Sequence, residues 1–186
     1  LLVGAERLYR YATTLGFGSL TGVSFPGETG GRLRSPASWS ARSAPTIAIG
    51  HEVTVTPLQL ALAYGAIPTG GLLMQPMLVR EQRDASGDVR RYYPQSSGRV
   101  FSEATTRTLG TMLEMVVDSG TAKAARVSGL RIAGKTGTAQ KYDARVGTYG
   151  KGMYLSSFAG YAPAEAPTLV GVVVIDEPRG ARALME

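Results

Sequence analysis

Apolar side chains at Val3, Leu8, Tyr11, Ala12 and Leu15 recur close to helical spacing until Gly16 and Gly18 stop the pattern, which predicts a helix over residues 3–15. From Ser19 to Pro45 the chain is rich in Gly, Pro and Ser and reads as an irregular excursion. The next helix start is sharper. Thr56 is placed to cap it and Pro57 suits the first helical position. Leu58, Leu62 and Ile67 supply the apolar body, and Pro68 with Gly70-Gly71 ends it. Met77 to Tyr93 reads as a hairpin around a Ser86-Gly87-Asp88 turn. Ser102 caps a further long helix through Leu109, Met112, Leu113 and Val116. Three strands follow, Gly129 to Ala139, Met153 to Tyr161 and Thr168 to Ile175. The last, rich in β-branched residues, is expected inside a sheet.

Helices early, then consecutive strands joined by non-helical connections, predict an α+β fold with an antiparallel sheet. No repeat, low-complexity tract or linker divides the chain. Its 186 residues suit a single domain burying roughly 70% of its unfolded surface. Hydrophobic content of 44% with 18% charged residues excludes wholesale disorder. The longest apolar run, Leu169 to Ile175, is too short to cross a bilayer. With no cysteine and a lone His51, disulfides, thiol chemistry and the usual zinc sites are excluded, and no metal or cofactor is expected.

The net charge of +6 invites a nucleic-acid reading. The arginines are scattered, however, with Arg90-Arg91 the one basic doublet and no basic stretch interleaved with aromatics for stacking. No nucleic-acid partner is therefore expected, and an anionic substrate or envelope surface suits the charge equally well.

The chemistry concentrates in "GLRIAGKTGTAQK", residues 129–141. Gly129 through Thr136 satisfy the phosphate-loop spacing, and "LVGVVVID" up to Asp176 imitates the acidic strand that often accompanies it. Such a loop needs an apolar strand before its first glycine and a helix after Lys-Thr. Here "AKAARVS" precedes, Leu-Arg-Ile-Ala alternates as a strand, and a glycine-rich stretch follows. The competing reading puts Lys135-Thr136-Gly137-Thr138 on a strand at a cleft edge. Lys135 is then a fixed cation for an anionic substrate, and the flanking hydroxyls bond the same carboxylate. Hydrogen bonds to charged groups contribute about 1.5–3 kcal/mol each. Gly137 lets a substrate lie against the strand, and a backbone N–H beyond it can serve as an oxyanion donor.

Lys-Thr-Gly is one signature of the penicillin-binding protein and serine β-lactamase group. Its surroundings sharpen the resemblance. "IGHEVTVTPLQLALAYGAIPTGG", a long helix ending near "SGTAKAARVSGLRIAGKTGTAQK", then "SSFAGYAP" and "LVGVVVIDEP" occur in order. Together with the early "LGFGSLTGVSFPGETGG", they resemble the class B penicillin-binding proteins, the peptidoglycan D,D-transpeptidases of cell division and elongation. The likeness covers roughly residues 4–178.

The resemblance implies a penicillin-binding, serine β-lactamase-like fold with helices flanking the antiparallel sheet. It implies a reaction in which a serine of Ser-x-x-Lys attacks the penultimate D-Ala carbonyl of a stem peptide. The acyl group then passes to an amine of a neighbouring stem, and β-lactams trap the serine. Lys135 would orient the substrate or β-lactam carboxylate and help set the charge of the neighbouring proton network. Thr136 and Thr138 would bond that carboxylate, and the Thr138 N–H would form half of the oxyanion hole. Neither Ser-x-x-Lys nor Ser-x-Asn occurs in this sequence, which contains no asparagine. The chain is accordingly expected to be the C-terminal portion of one transpeptidase domain, residues 1–186, without the nucleophile-bearing part and the closing helix, and inactive alone. Its expected place is the bacterial cell envelope, outside the cytoplasmic membrane and held by an upstream anchor, with stem peptides, β-lactams and other cell-wall or division proteins as partners. A β-lactam sensor, a serine β-lactamase and a non-catalytic envelope scaffold share parts of this pattern. Elsewhere the bland readings prevail: His51 as structural, Asp176 and Glu177 as a solvated turn, Trp39 as cover for the core. Lys141, Tyr142 and the glycines up to Lys151 are candidates for the cleft border.

Overall fold

The computed structural model describes residues 3–143 and 145–178. Helix α1 spans Ala5–Thr14, α2 Ser43–Ala48, α3 Pro57–Gly65 and α4 Glu103–Asp118. The strands are β1 Leu72–Met74, β2 Glu81–Arg83, β3 Val89–Arg91, β4 Ser96–Arg99, β5 Ala133–Asp143, β6 Thr148–Ala162 and β7 Leu169–Asp176. The principal sheet has the order β5-β6-β7 and is antiparallel throughout. Two further antiparallel pairs, β1-β4 and β2-β3, complete the strands of the described residues. The α+β class and the antiparallel sheet agree with the sequence.

Local chemistry explains the best-defined helices. Thr56 accepts the Gln59 N–H while the Gln59 side chain accepts the Thr56 N–H, a reciprocal capping box with Pro57 at the first position. Ser102 likewise accepts the Thr105 N–H at the start of α4. The predicted hairpin forms with Glu81 opposite Arg91 and Arg83 opposite Val89, closed by an Asp84 carboxylate that accepts from Ser86 and Asp88.

Helix α4 packs on β5, and α3 lies against β6 and β7. Val117, Ala122, Ala133, Ala159 and Tyr161 are buried between these layers. Gln59 is a polar member of the core, 1% exposed. Its amide donates to the carbonyls of Gly16, Ser19 and Gly30 at 3.1, 2.7 and 2.8 Å. One side chain thus ties α3 to the irregular excursion, which also pairs Arg32 with Thr54.

One expectation needs correction. Strand β5 starts at Ala133 and runs to Asp143, because pairing with β6 sets its limits, while Leu130 makes only an isolated bridge to Val127. Among the described residues strand β7 pairs with β6 alone, with Leu169 71%, Val173 57% and Ile175 48% exposed.

Candidate functional site

The Lys-Thr-Gly-Thr segment lies within β5, whose second edge is unpaired among the described residues. This overturns the phosphate-loop alternative, since Gly134, Lys135 and Thr136 are extended strand and the next element is β6, not a helix. The Arg131 carbonyl accepts from Ala164 N–H, and the Gly137 carbonyl from the Ser157 hydroxyl, both on the β6 side. Carbonyls alternate along a strand. The Thr136 carbonyl and the Thr138 N–H therefore face the free edge.

Lys135 and Thr136 leave the strand on opposite faces, so both can meet one ligand only at that edge. Lys135 is exposed, forms no ion pair among the described residues, and rests its Nζ 2.7 Å from the Thr136 carbonyl oxygen. Thr138, also exposed, shares the Thr136 face about 7 Å along the strand. The Thr136 hydroxyl lies 2.9 Å from that of Thr121, in the connection after α4. Gly137 has a more pressing duty than making room for a ligand. A Cβ there would sit 2.6 Å from Ser157 Oγ, and one at Gly134 2.3 Å from the Phe158 ring. Both glycines let β6 close on β5.

A cleft runs along this strand. One cavity of about 330 Å³ is bounded by Gly137, Thr138 and Ala139 on β5 and by residues 53–57 opposite. It continues into a cavity of about 740 Å³ that shares Gly50, Val53, Thr54, Ala139 and Leu155 with it and reaches Arg32, His51, Tyr142 and Tyr149. His51 packs on Tyr149 with ring centroids 4.8 Å apart, and Tyr142 meets Tyr149 edge-on at 5.9 Å. The cleft border anticipated at Lys141 and Tyr142 forms at this end. His51 is part of the cavity wall as well as of the fold.

Glu52, beside His51, adopts a left-handed backbone at φ 57°, uncommon for a residue with a side chain. Its carboxylate accepts from Thr46 at 2.6 Å, from Ser43 at 2.8 Å and from Arg34. The Thr46 and Ser43 hydroxyls, followed by the Arg34 charge, hold its pKa below the ordinary value against the opposing cost of burial. A carboxyl group with a depressed folded-state pKa contributes stability above its unfolded value and loses it as pH falls through the folded one. Melting of the full-length protein from pH 7 down to about pH 3 is expected to show this loss below the ordinary value of 4.5. Glu52→Gln should remove that component of the pH dependence; an unchanged profile would rule out the role given to Glu52.

Asp176 and Glu177 do not form a merely solvated turn. Each carboxylate lies 2.8 Å from Lys141 Nζ, so β5 is clasped to the end of β7 across β6. Asp176 first and Glu177 next push the Lys141 ammonium pKa up. Trp39 is half-buried, donates to the Arg34 carbonyl at 2.8 Å and meets Tyr9 edge-on, in keeping with a packing role. The Thr121 hydroxyl and the Lys141 clasp escaped the sequence reading, since both join distant segments. The glutamine three residues after Thr56 was the visible signal for the capping box. No cluster of three or more potential metal ligands exists among the described residues, and none of their helices is long and apolar enough to cross a membrane.

Comparison with known proteins agrees with this geometry. Stage V sporulation protein D of Bacillus subtilis is 38% identical over 180 residues, covering 96% of this chain and 28% of that protein. The probable peptidoglycan D,D-transpeptidase PenA of Neisseria gonorrhoeae is 35% identical over 176 residues, covering 94% of the chain and 28% of that protein. The chain thus spans under a third of these relatives. The crystal structure of penicillin-binding protein 3 from Mycobacterium tuberculosis complexed with aztreonam superposes with a TM-score of 0.90 at 34% identity, covering 98% of this chain and 42% of that one. Residues 1–184 match the family described as the penicillin binding protein transpeptidase domain, and the chain belongs to that family.

Proposed function

We propose that this chain supplies the Lys-Thr-Gly-Thr wall of a peptidoglycan D,D-transpeptidase that is also acylated by β-lactams. The observation that carries the reading is the edge of β5 left open among the described residues, where an exposed lysine with no ion pair among them and an outward backbone N–H lie three residues apart. A C-terminal carboxylate seats against Lys135, with the Thr136 and Thr138 hydroxyls turning to it. The penultimate D-Ala carbonyl then sits at the Thr138 N–H, which stabilises the oxyanion; removing such a donor typically costs about 10²–10³ in rate.

The nucleophile is a serine outside these 186 residues. Its oxygen adds to that carbonyl, the C–N bond breaks, and the terminal D-Ala leaves as an amine carrying the transferred proton. An amino group of a second stem peptide attacks the acyl-serine ester, forming the cross-link and returning a proton to the serine oxygen. The substrate places this work in the bacterial cell envelope, on the outer side of the cytoplasmic membrane. The relative named a peptidoglycan D,D-transpeptidase and the aztreonam-bound neighbour support the reading.

Incubating the full-length protein with fluorescent penicillin should give one covalent adduct, located by peptide mass spectrometry on a serine outside residues 1–186. Absence of an adduct would favour a non-catalytic envelope scaffold of the same fold.

A further inference from the structure

A cavity of about 560 Å³ lies at the base of the β2-β3 hairpin and shares no lining residue with the cleft along β5. Resting on the proposed transpeptidase reading, we infer that it is a sugar site, which holds the uncharged, N-acetylated glycan strand that carries the stem peptide. The sequence creates the opening. The Gln75 N–H donates to the Gln95 carbonyl and the Tyr92 N–H to the Arg80 carbonyl, so the β1-β4 ladder leads toward the β2-β3 one. Between these two bonds one arm has residues 76–79 and the other only 93 and 94. Pro76 and Pro94 lack the N–H groups that would continue the ladder. The longer arm therefore bows out, leaving a hollow within the usual range for small ligands, about 300–1,000 Å³.

The lining selects the ligand class. Its one charged side chain among the described residues is Glu81, already paired with Arg91 at 3.3 Å and Arg83 at 3.4 Å. Neither an anion nor a cation finds an uncommitted counter-charge there. Three amides line the hollow instead. Gln75 has no side-chain hydrogen bond among the described residues. Gln82 accepts from the Tyr92 hydroxyl at 3.2 Å and leaves its own donors unused among them. Gln95 reaches only the Tyr93 carbonyl, at 3.5 Å. Tyr92 is further held by the Arg90 guanidinium, 5.2 Å from its ring centroid. Tyr93, 69% exposed, offers an aromatic surface with a polar tip. A pyranose complements this set. Its hydroxyl and acetamido groups pair with amides, which both donate and accept, and its C–H face lies on aromatic and aliphatic side chains. In the proposed substrate the sugar carboxyl is consumed in the amide to the stem peptide, so the strand is uncharged, as the lining requires.

The test titrates the full-length protein with chitotetraose, a soluble chain of N-acetylglucosamine, followed by calorimetry and saturation-transfer NMR. Binding is expected with a Kd on the order of 1 mM. Tyr93→Ala should weaken it about three- to tenfold, the range of one aromatic contact, whereas Tyr93→Phe should keep most of it. Both variants should react with fluorescent penicillin at the wild-type rate, because Tyr93 lies outside the cleft. Cross-linking of glycan-linked donors should fall in Tyr93→Ala while turnover of a free acyl-D-Ala-D-Ala peptide does not. No saturable binding by the wild type, which would leave the hollow to a protein partner, or an affinity unchanged in Tyr93→Ala, would overturn the sugar site. Failure of wild-type acylation by penicillin would instead overturn the transpeptidase reading beneath it.

Discussion

Replacing Lys135 by alanine in the full-length protein is expected to slow acylation by fluorescent penicillin by about 10- to 100-fold. The size follows from one charged hydrogen bond to the ligand carboxylate, about 1.5–3 kcal/mol. Little loss of fold should accompany it, because Lys135 is exposed and its one described polar contact is to the adjacent Thr136 carbonyl. Lys135→Arg should retain part of the rate, since the charge persists while its geometry changes. Stopped-flow or gel-based labelling at several penicillin concentrations separates binding from acylation. Unchanged labelling in Lys135→Ala would remove this residue from the site.

The largest stability effect is expected at Gln59. Gln59→Leu keeps the volume but removes the amide that serves the Ser19 and Gly30 carbonyls and the Thr56 N–H, and leaves the Gly16 carbonyl with the Ser19 N–H alone, at 3.4 Å. Each buried group left unmatched costs about 1–3 kcal/mol, and partial relaxation toward water brings the expected total to about 2–5 kcal/mol. Denaturant unfolding of the full-length protein should show this as a fall in midpoint. Gln59→Glu, which keeps the acceptor but loses the amide donors, should be similarly harmful. A change under about 0.5 kcal/mol, the usual range for ordinary surface positions, would mean that the excursion is anchored by other contacts.

Features written locally were legible in the sequence. The Thr56-Pro57 helix start, the Ser102 cap and the turn at Ser86-Gly87-Asp88 each depend on residues within one turn of chain. Strand limits were less legible. Leu130 and Ile132 alternate like strand residues, but only pairing decides where a strand begins, and β6 reaches back no further than Ala133. The pair β1-β4 went unseen because three and four residues, one of them Gly98, carry too little pattern. In the site, the Lys-Thr-Gly-Thr segment was visible as a motif. Its orientation was not, since the outward turn of Thr136 and Thr138 follows from which residues bond to β6. The Thr121–Thr136 contact spans 15 positions and the Lys141–Glu177 contact 36. Such contacts arise only when distant elements are packed together, so no window of sequence contains them.

The open flank of β7 has a consequence for handling this polypeptide by itself. A strand reading Leu-Val-Gly-Val-Val-Val-Ile, with its outer hydrogen-bonding row unused among the described residues, is a template for the same strand on another molecule. Productive folding is first order in protein, whereas strand-to-strand capture is second order. The yield of soluble material should therefore be governed by dilution, and a lysine placed at Val173, 57% exposed, would act as a gatekeeper against fibril-like stacking.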